Sequence, residues 1–150
     1  MTVIKIAVGI LVTFITISSA SAKENRDLAF EKKSMQWMLQ TKQASEAEKA
    51  GKLDEAEQIY KTIISDRINY HLDLSQERGY LAQIYTKEGR TKDAEALLLI
   101  NISQRESEDG KNGFTLVYPL NEYADFLEKT GRVEEAKTQR QRANQIEKGS

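Results

Sequence analysis

Gly51-Lys52-Leu53-Asp54-Glu55-Ala56, Gly89-Arg90-Thr91-Lys92-Asp93-Ala94 and Gly131-Arg132-Val133-Glu134-Glu135-Ala136 are three copies of one phrase: glycine, a basic residue, an acid, then alanine. The flanking columns repeat with it. Seven residues before each glycine stand Ala44, Ala82 and Ala124, four before it Ala47, Tyr85 and Leu127, and eight before it Gln43, Leu81 and Tyr123. Nine after it come Tyr60, Leu98 and Arg140, and twelve after it Ile63, Asn101 and Ala143.

This spacing has a mechanical meaning. A glycine in the left-handed conformation ends one helix and the next begins two residues later, so each phrase marks the turn of a helical hairpin. Alanines seven before and five after the turn fall where antiparallel helices come closest, which predicts full burial of Ala56, Ala94 and Ala136. Helices are expected near 26–49, 53–66, 73–88, 91–105, 116–129 and 133–147, with connectors around 67–72 and 106–115. Ser107 to Gly113 has the composition of a solvated loop, and Pro119 fits only the first turn of the helix after it. Helices of this length are marginal alone, so the hairpins must stack on one another. Arg140, in the column of Tyr60 and Leu98, reads as the polar end of that stack. Upstream, Leu28, Phe30, Met35, Trp37, Met38 and Leu39 read as core packing of a longer first helix that caps the other end. The alternative is an exposed Trp37–Met38 docking patch, and the burial of Trp37 distinguishes the two.

The pattern resembles the tetratricopeptide repeat family over most of residues 37–147, with repeats at about 37–68, 75–106 and 117–147. The glycines are 38 and 42 residues apart, against a family period of about 34, so extra residues lie between hairpins. The longer step is similar to the kinesin light chain type of repeat, and Leu120-Asn121-Glu122-Tyr123-Ala124 is similar to its Leu-Asn-x-Leu-Ala phrase. The resemblance implies an all-α fold, a right-handed α-solenoid of three helical hairpins. It also implies that the first helix of each hairpin lines a concave groove for a protein or peptide. The groove residues would then be Thr41, Ser45 and Glu48 in the first repeat. The second repeat would offer Gln76, Tyr80, Gln83 and Lys87, and the third Tyr118, Asn121, Asp125 and Glu128. Amides, tyrosines and acids suit an extended or helical peptide. They lack the convergent Lys, Arg and Asn of the family's clamp for acidic C-termini.

The N-terminal segment is a different material. Among residues 1–22 the single formal charge is Lys5, followed by an apolar stretch from Ile6 to Ile17 and small residues up to Ala22. This is the pattern of a secretory signal cleaved after Ala22, preceding a helical repeat domain over 23–150; the alternative is an uncleaved membrane anchor, which normally needs about 20 apolar residues. The lone lysine resembles Gram-negative export signals, so a periplasmic or secreted location is expected, with no membrane association after cleavage. Residues 23–150 carry a net charge of −2, which supplies no basic footprint for nucleic acid. With no cysteine in the chain, disulfides, thiol catalysis and thiolate metal sites are excluded.

The remaining chemistry is sparse. His71, the one histidine, sits in a connector without a second imidazole or thiolate nearby, and reads as a surface residue. Carboxylates alternate with Lys and Arg along the helices, as on solvated faces. Phosphate loops and nucleophile elbows are missing. Asn101-Ile102-Ser103 satisfies a glycosylation sequon, but Asn101 occupies a packing column and is expected to face the core. The expectation is therefore an exported, non-enzymatic adaptor without catalytic residues, metal or cofactor, which binds a protein or peptide partner. The alternative is a self-associating structural subunit of an envelope complex, a homo-oligomer.

Overall fold

The computed structural model describes residues 2–149, with side chains described from residue 22 onward. The helices are α1 (Thr2–Lys49), α2 (Leu53–Ile68), α3 (Ser75–Lys87), α4 (Thr91–Asp109), α5 (Val117–Lys129) and α6 (Val133–Lys148), with a single 3-10 turn, Phe114–Leu116, leading into α5. The described residues contain no strand, so the fold is all-α. None of their helices is long and apolar enough to cross a membrane. Apart from Ala22, the predicted export signal lies outside the residues whose side chains are described.

Two compact units are distinguished, residues 1–39 and 40–150. In the first, the expectation of core packing along α1 is corrected for every residue but one. Trp37 is 4% exposed, and the Phe30 ring meets it edge-on at 6.1 Å. Leu28, Phe30, Met35, Met38 and Leu39 are all exposed, Met38 to 64%. Helical geometry gives the reason. At about 100° per residue, Leu28, Met35 and Leu39 share a narrow stripe on the side opposite Trp37. A side chain on one face of a helix can be enclosed while those on the opposite face stay in water. The Trp37–Met38 pair is therefore split, with the indole inside and the thioether outside.

In the second unit the three turns are built alike. Gly51, Gly89 and Gly131 have φ of +76°, +75° and +83°, a region open to glycine at little steric cost. Each closes the same double bond of a Schellman cap. The N–H of Gly89 donates to Thr86 O and that of Arg90 to Tyr85 O; Gly51 with Lys52, and Gly131 with Arg132, repeat this pairing. The next residue turns the chain, and Ala56, Ala94 and Ala136 close the first full helical bond of α2, α4 and α6 onto Lys52, Arg90 and Arg132 O. No side chain caps these starts. Acids such as Asp54, Asp93 and Glu134 stand in the first turns instead, favourable at the positive end of the helix dipole.

Successive helices pack against each other from α2 to α6, and α3 also touches α5. Ala56, Ala94 and Ala136 are completely buried, as are Ala44 and Ala124, with Ala82 nearly so. Small residues there let helix axes approach closely. Around them Tyr60, Ile63, Ile84, Leu116, Leu120 and Leu127 fill the core, each contributing about 1.5–3 kcal/mol of apolar burial. Asn101 is buried as expected, its amide donating to Ser75 O at 2.8 Å.

Some boundaries differ from expectation. α4 runs one turn further than 105, because Gln104 and Arg105 each pair with Glu108 across a helical turn and hold it. Its end is set at Gly110, φ +78°. α3 begins at Ser75 instead of 73, since the Asp73 carboxylate accepts the Ser75 N–H and hydroxyl ahead of the helix. Pro119 lies in the first turn of α5, where its missing N–H costs nothing.

Candidate functional site

α3 and α5, the helices that precede the second and third turns, border a cavity of about 190 Å³. Gln83 and Lys87 enter it from α3 and Asp125 from α5, three of the residues expected in the groove. Its apolar wall is Ala82, Leu98 and Phe126, the last stacked on Tyr123 with ring centroids 6.1 Å apart. The remaining expected groove residues do not line it. Gln76 donates to the Tyr80 hydroxyl at 2.9 Å, and Tyr80 stacks on Tyr60. Glu48 accepts an ion pair from Lys87 at 2.8 Å. Tyr118 is exposed, and Thr41, Ser45 and Asn121 are half-buried. Glu128 is drawn toward α6, where Arg140 bridges it at 2.8 Å and Asp125 at 2.7 Å. Arg140 thus closes the end of the packed column by spanning two acids of α5 rather than entering the core.

The cavity is also lined by a residue the sequence did not single out. Glu122 lies against the backbone of α3 at Gly79, where even a methyl group would collide with its carboxylate. Its Oε1 accepts a long bond, 3.4 Å, from the Tyr118 hydroxyl. Its Oε2 is shielded from solvent and has no hydrogen-bond partner among the described residues. Burial, opposed by the Tyr118 bond and reinforced by the charge of Asp125, pushes the acid up to about 7.

That shift has a measurable sign. Between about pH 4.5 and pH 7 the folded chain keeps a proton on Glu122 that the unfolded chain has released, so this group's contribution to stability falls as pH rises. Lys87 from α3, and Asp125 and Lys129 from α5, line the same cavity. Glu122→Gln is expected to remove the slope. It should raise stability at pH 8 by on the order of 1–2 kcal/mol, allowing for screening at a half-buried site, and leave it unchanged near pH 4. Thermal unfolding of both proteins across pH 4–8 measures this; parallel curves would contradict it.

A second set of polar contacts repeats along the chain. The basic residue after each glycine pairs with the acid three residues on: Lys52 with Glu55, Arg90 with Asp93, Arg132 with Glu135. In two cases it also reaches back one hairpin. Arg90 donates to both oxygens of Glu57, at 3.1 and 3.2 Å, where Tyr85 donates as well. Arg132 and Tyr123 both donate to Glu95 at 2.6 Å. Glu57 and Glu95 share the column six after the glycine, filled by Lys137 in the last copy. That column was overlooked, although its recurrence was visible beside the alanine. Glu57 is held below the usual carboxylate range, mainly by the Lys61 hydrogen bond against the pull of burial, with Arg90 and Tyr85 adding to it. Glu95 is lowered chiefly by Tyr123. These acids fasten one hairpin to the next.

The same contacts decide the one carboxylate trio dense enough to hold an ion among the described residues, Asp54, Glu57 and Glu88. Arg90 bridges Glu57 and Glu88, and Lys61 binds Glu57 at 2.6 Å, so two of the three carboxylates are already taken by cations. His71 is exposed, in a left-handed turn with φ +52°. No protein-family model matches the chain, and no curated protein matches it. The likeness to tetratricopeptide repeats therefore rests on its three in-register turns.

Proposed function

We propose that this chain is an exported, non-enzymatic interaction module. Its hairpins form a right-handed solenoid of tetratricopeptide type, and its groove docks a peptide segment of a protein partner. The observation that carries this reading is the cavity shared by α3 and α5, into which Gln83, Lys87 and Asp125 project from two successive hairpins. Its apolar wall and polar rim suit side-chain recognition. The N-terminal signal pattern supports a periplasmic or secreted site of action. A groove of this extent supports transient binding, micromolar as an order of magnitude.

Selection of random peptides displayed on phage against the purified chain tests the reading. Enriched peptides are expected to shift the NMR signals of α3 and α5, and to lose about tenfold in affinity for Gln83→Ala/Asn121→Ala. Undiminished binding by that double variant would remove the groove from consideration. A second reading, a self-associating structural subunit, is favoured by the exposed Leu28, Met35 and Leu39 stripe of α1. Sedimentation separates the two. A concentration-independent monomer eliminates self-assembly, and a tight dimer with a covered groove eliminates the adaptor.

A further inference from the structure

Within the groove, Glu122 stands apart from its acidic neighbours. Asp125 is taken by Arg140 and Glu48 by Lys87, while Glu122 Oε2 is desolvated and has no partner among the described residues. A buried carboxylate oxygen left in this state carries a cost that a donor from outside would relieve. The arrangement is specific to the site. It needs a bare backbone at Gly79 for the acid to lie on, and a hydroxyl from Tyr118 to hold the other oxygen. The surrounding volume of about 190 Å³ is smaller than the roughly 300–1,000 Å³ of pockets for whole small molecules. It has the scale of one side chain.

We propose that this cavity seats the basic side chain of a bound peptide, a lysine or arginine whose aliphatic stem lies along Ala82, Leu98 and Phe126 and whose cation meets the Glu122 carboxylate. The assignment rests on the groove reading above and adds the chemistry of its occupant. An anionic side chain would face Glu122 and Asp125 together, while of the two lysines in the lining Lys87 is already held by Glu48. A short neutral donor would satisfy the oxygen but leave the apolar wall uncovered. A long stem ending in a cation uses both, since Lys and Arg bury their methylenes while presenting the charge, and the bond formed would be charge-assisted.

The test uses the isotope-labelled full chain and three blocked amino acids as probes: N-acetyl-lysine amide, N-acetyl-arginine amide and N-acetyl-norleucine amide, at matched ionic strength. Saturable shifts of the Gly79, Ala82, Glu122 and Phe126 amides are expected with the two basic probes. The norleucine probe, which keeps the stem and lacks the charge, should bind about tenfold more weakly, and Glu122→Gln should weaken the basic probes to the same degree. Gly79→Ala, which pushes the carboxylate off its seat, is a second variant with the same expected loss, should Glu122→Gln fold poorly. Equal binding of norleucine, equal binding by the two variants, or no shift at these amides would each overturn the assignment. The peptide selection keeps the two levels distinct. Groove-bound peptides without a basic residue would defeat the cation assignment and leave the groove reading intact, whereas failure to enrich any groove-bound peptide would defeat both.

Discussion

Ile84→Ala is expected to lower the unfolding free energy by about 3 kcal/mol, the middle of the range for truncating a fully buried aliphatic side chain. Ile84 is completely enclosed in α3, and α3 touches α2, α4 and α5. The cavity left by its three missing carbons lies where several helices meet, so little can collapse into it. Against a total stability of about 5–15 kcal/mol, the loss is severe, and a fall in Tm of about 10 °C or more follows. Because each hairpin is held mainly by its neighbours, weakening the middle one is also expected to broaden the transition. Urea denaturation followed by circular dichroism measures both. A loss below about 1 kcal/mol would mean that α3 is not packed as described.

Glu57→Ala is expected to cost about 2 kcal/mol at neutral pH. Removing the acid strands the Tyr85 hydroxyl in the interior and frees Arg90 and Lys61 from their partner. Breaking a fully buried ion pair costs about 3–5 kcal/mol; the estimate here is lower because Arg90 is 40% exposed and can turn to water. The pH dependence has a definite sign. The folded acid titrates below its ordinary value of 4.5, so its contribution is complete above that value and disappears as pH falls through the depressed one. The difference between wild type and Glu57→Ala should therefore be full at pH 7 and shrink on acidification, opposite to the trend for Glu122→Gln. Chemical denaturation at pH 7 and at pH 3 gives the comparison. In a double-mutant cycle with Arg90→Ala the two losses should add to more than the double variant shows. Strict additivity would show that the contact between hairpins contributes nothing.

The residues that were legible from the chain alone share a property. Gly51, Gly89 and Gly131 are required by the local backbone, since a positive φ disfavours other side chains wherever it occurs. Ala56, Ala94 and Ala136 follow from the fixed distance between that turn and the point of closest helix approach. Both are short-range demands, and they recur in phase because the hairpin recurs. The Glu57 and Glu95 column recurs in two of the three copies, but a glutamate on a helix is far more often solvated. Its role becomes visible only when the arginine after the next glycine is seen folded back onto it.

The apolar residues before the first repeat show the opposite limit. Trp37 and Met38 are neighbours in the chain and both apolar, yet a helix sends consecutive side chains about 100° apart. Which of them is buried depends on the rotation of α1. Gly79 and Glu122 are the further case. They stand at different offsets from their own glycines, ten before Gly89 and nine before Gly131, so no aligned column links them. Uneven spacers of 38 and 42 residues between turns change which turn of α3 lies opposite which turn of α5.

Turn geometry, helix pairing and the small-residue contact were therefore set by forces acting within about a dozen residues, and those are written in the order of the amino acids. The seat of Glu122 depends on the rotation and register of two helices separated by some 40 residues. That arrangement comes from how whole helices settle together to bury their apolar faces, and no single stretch of the chain encodes it.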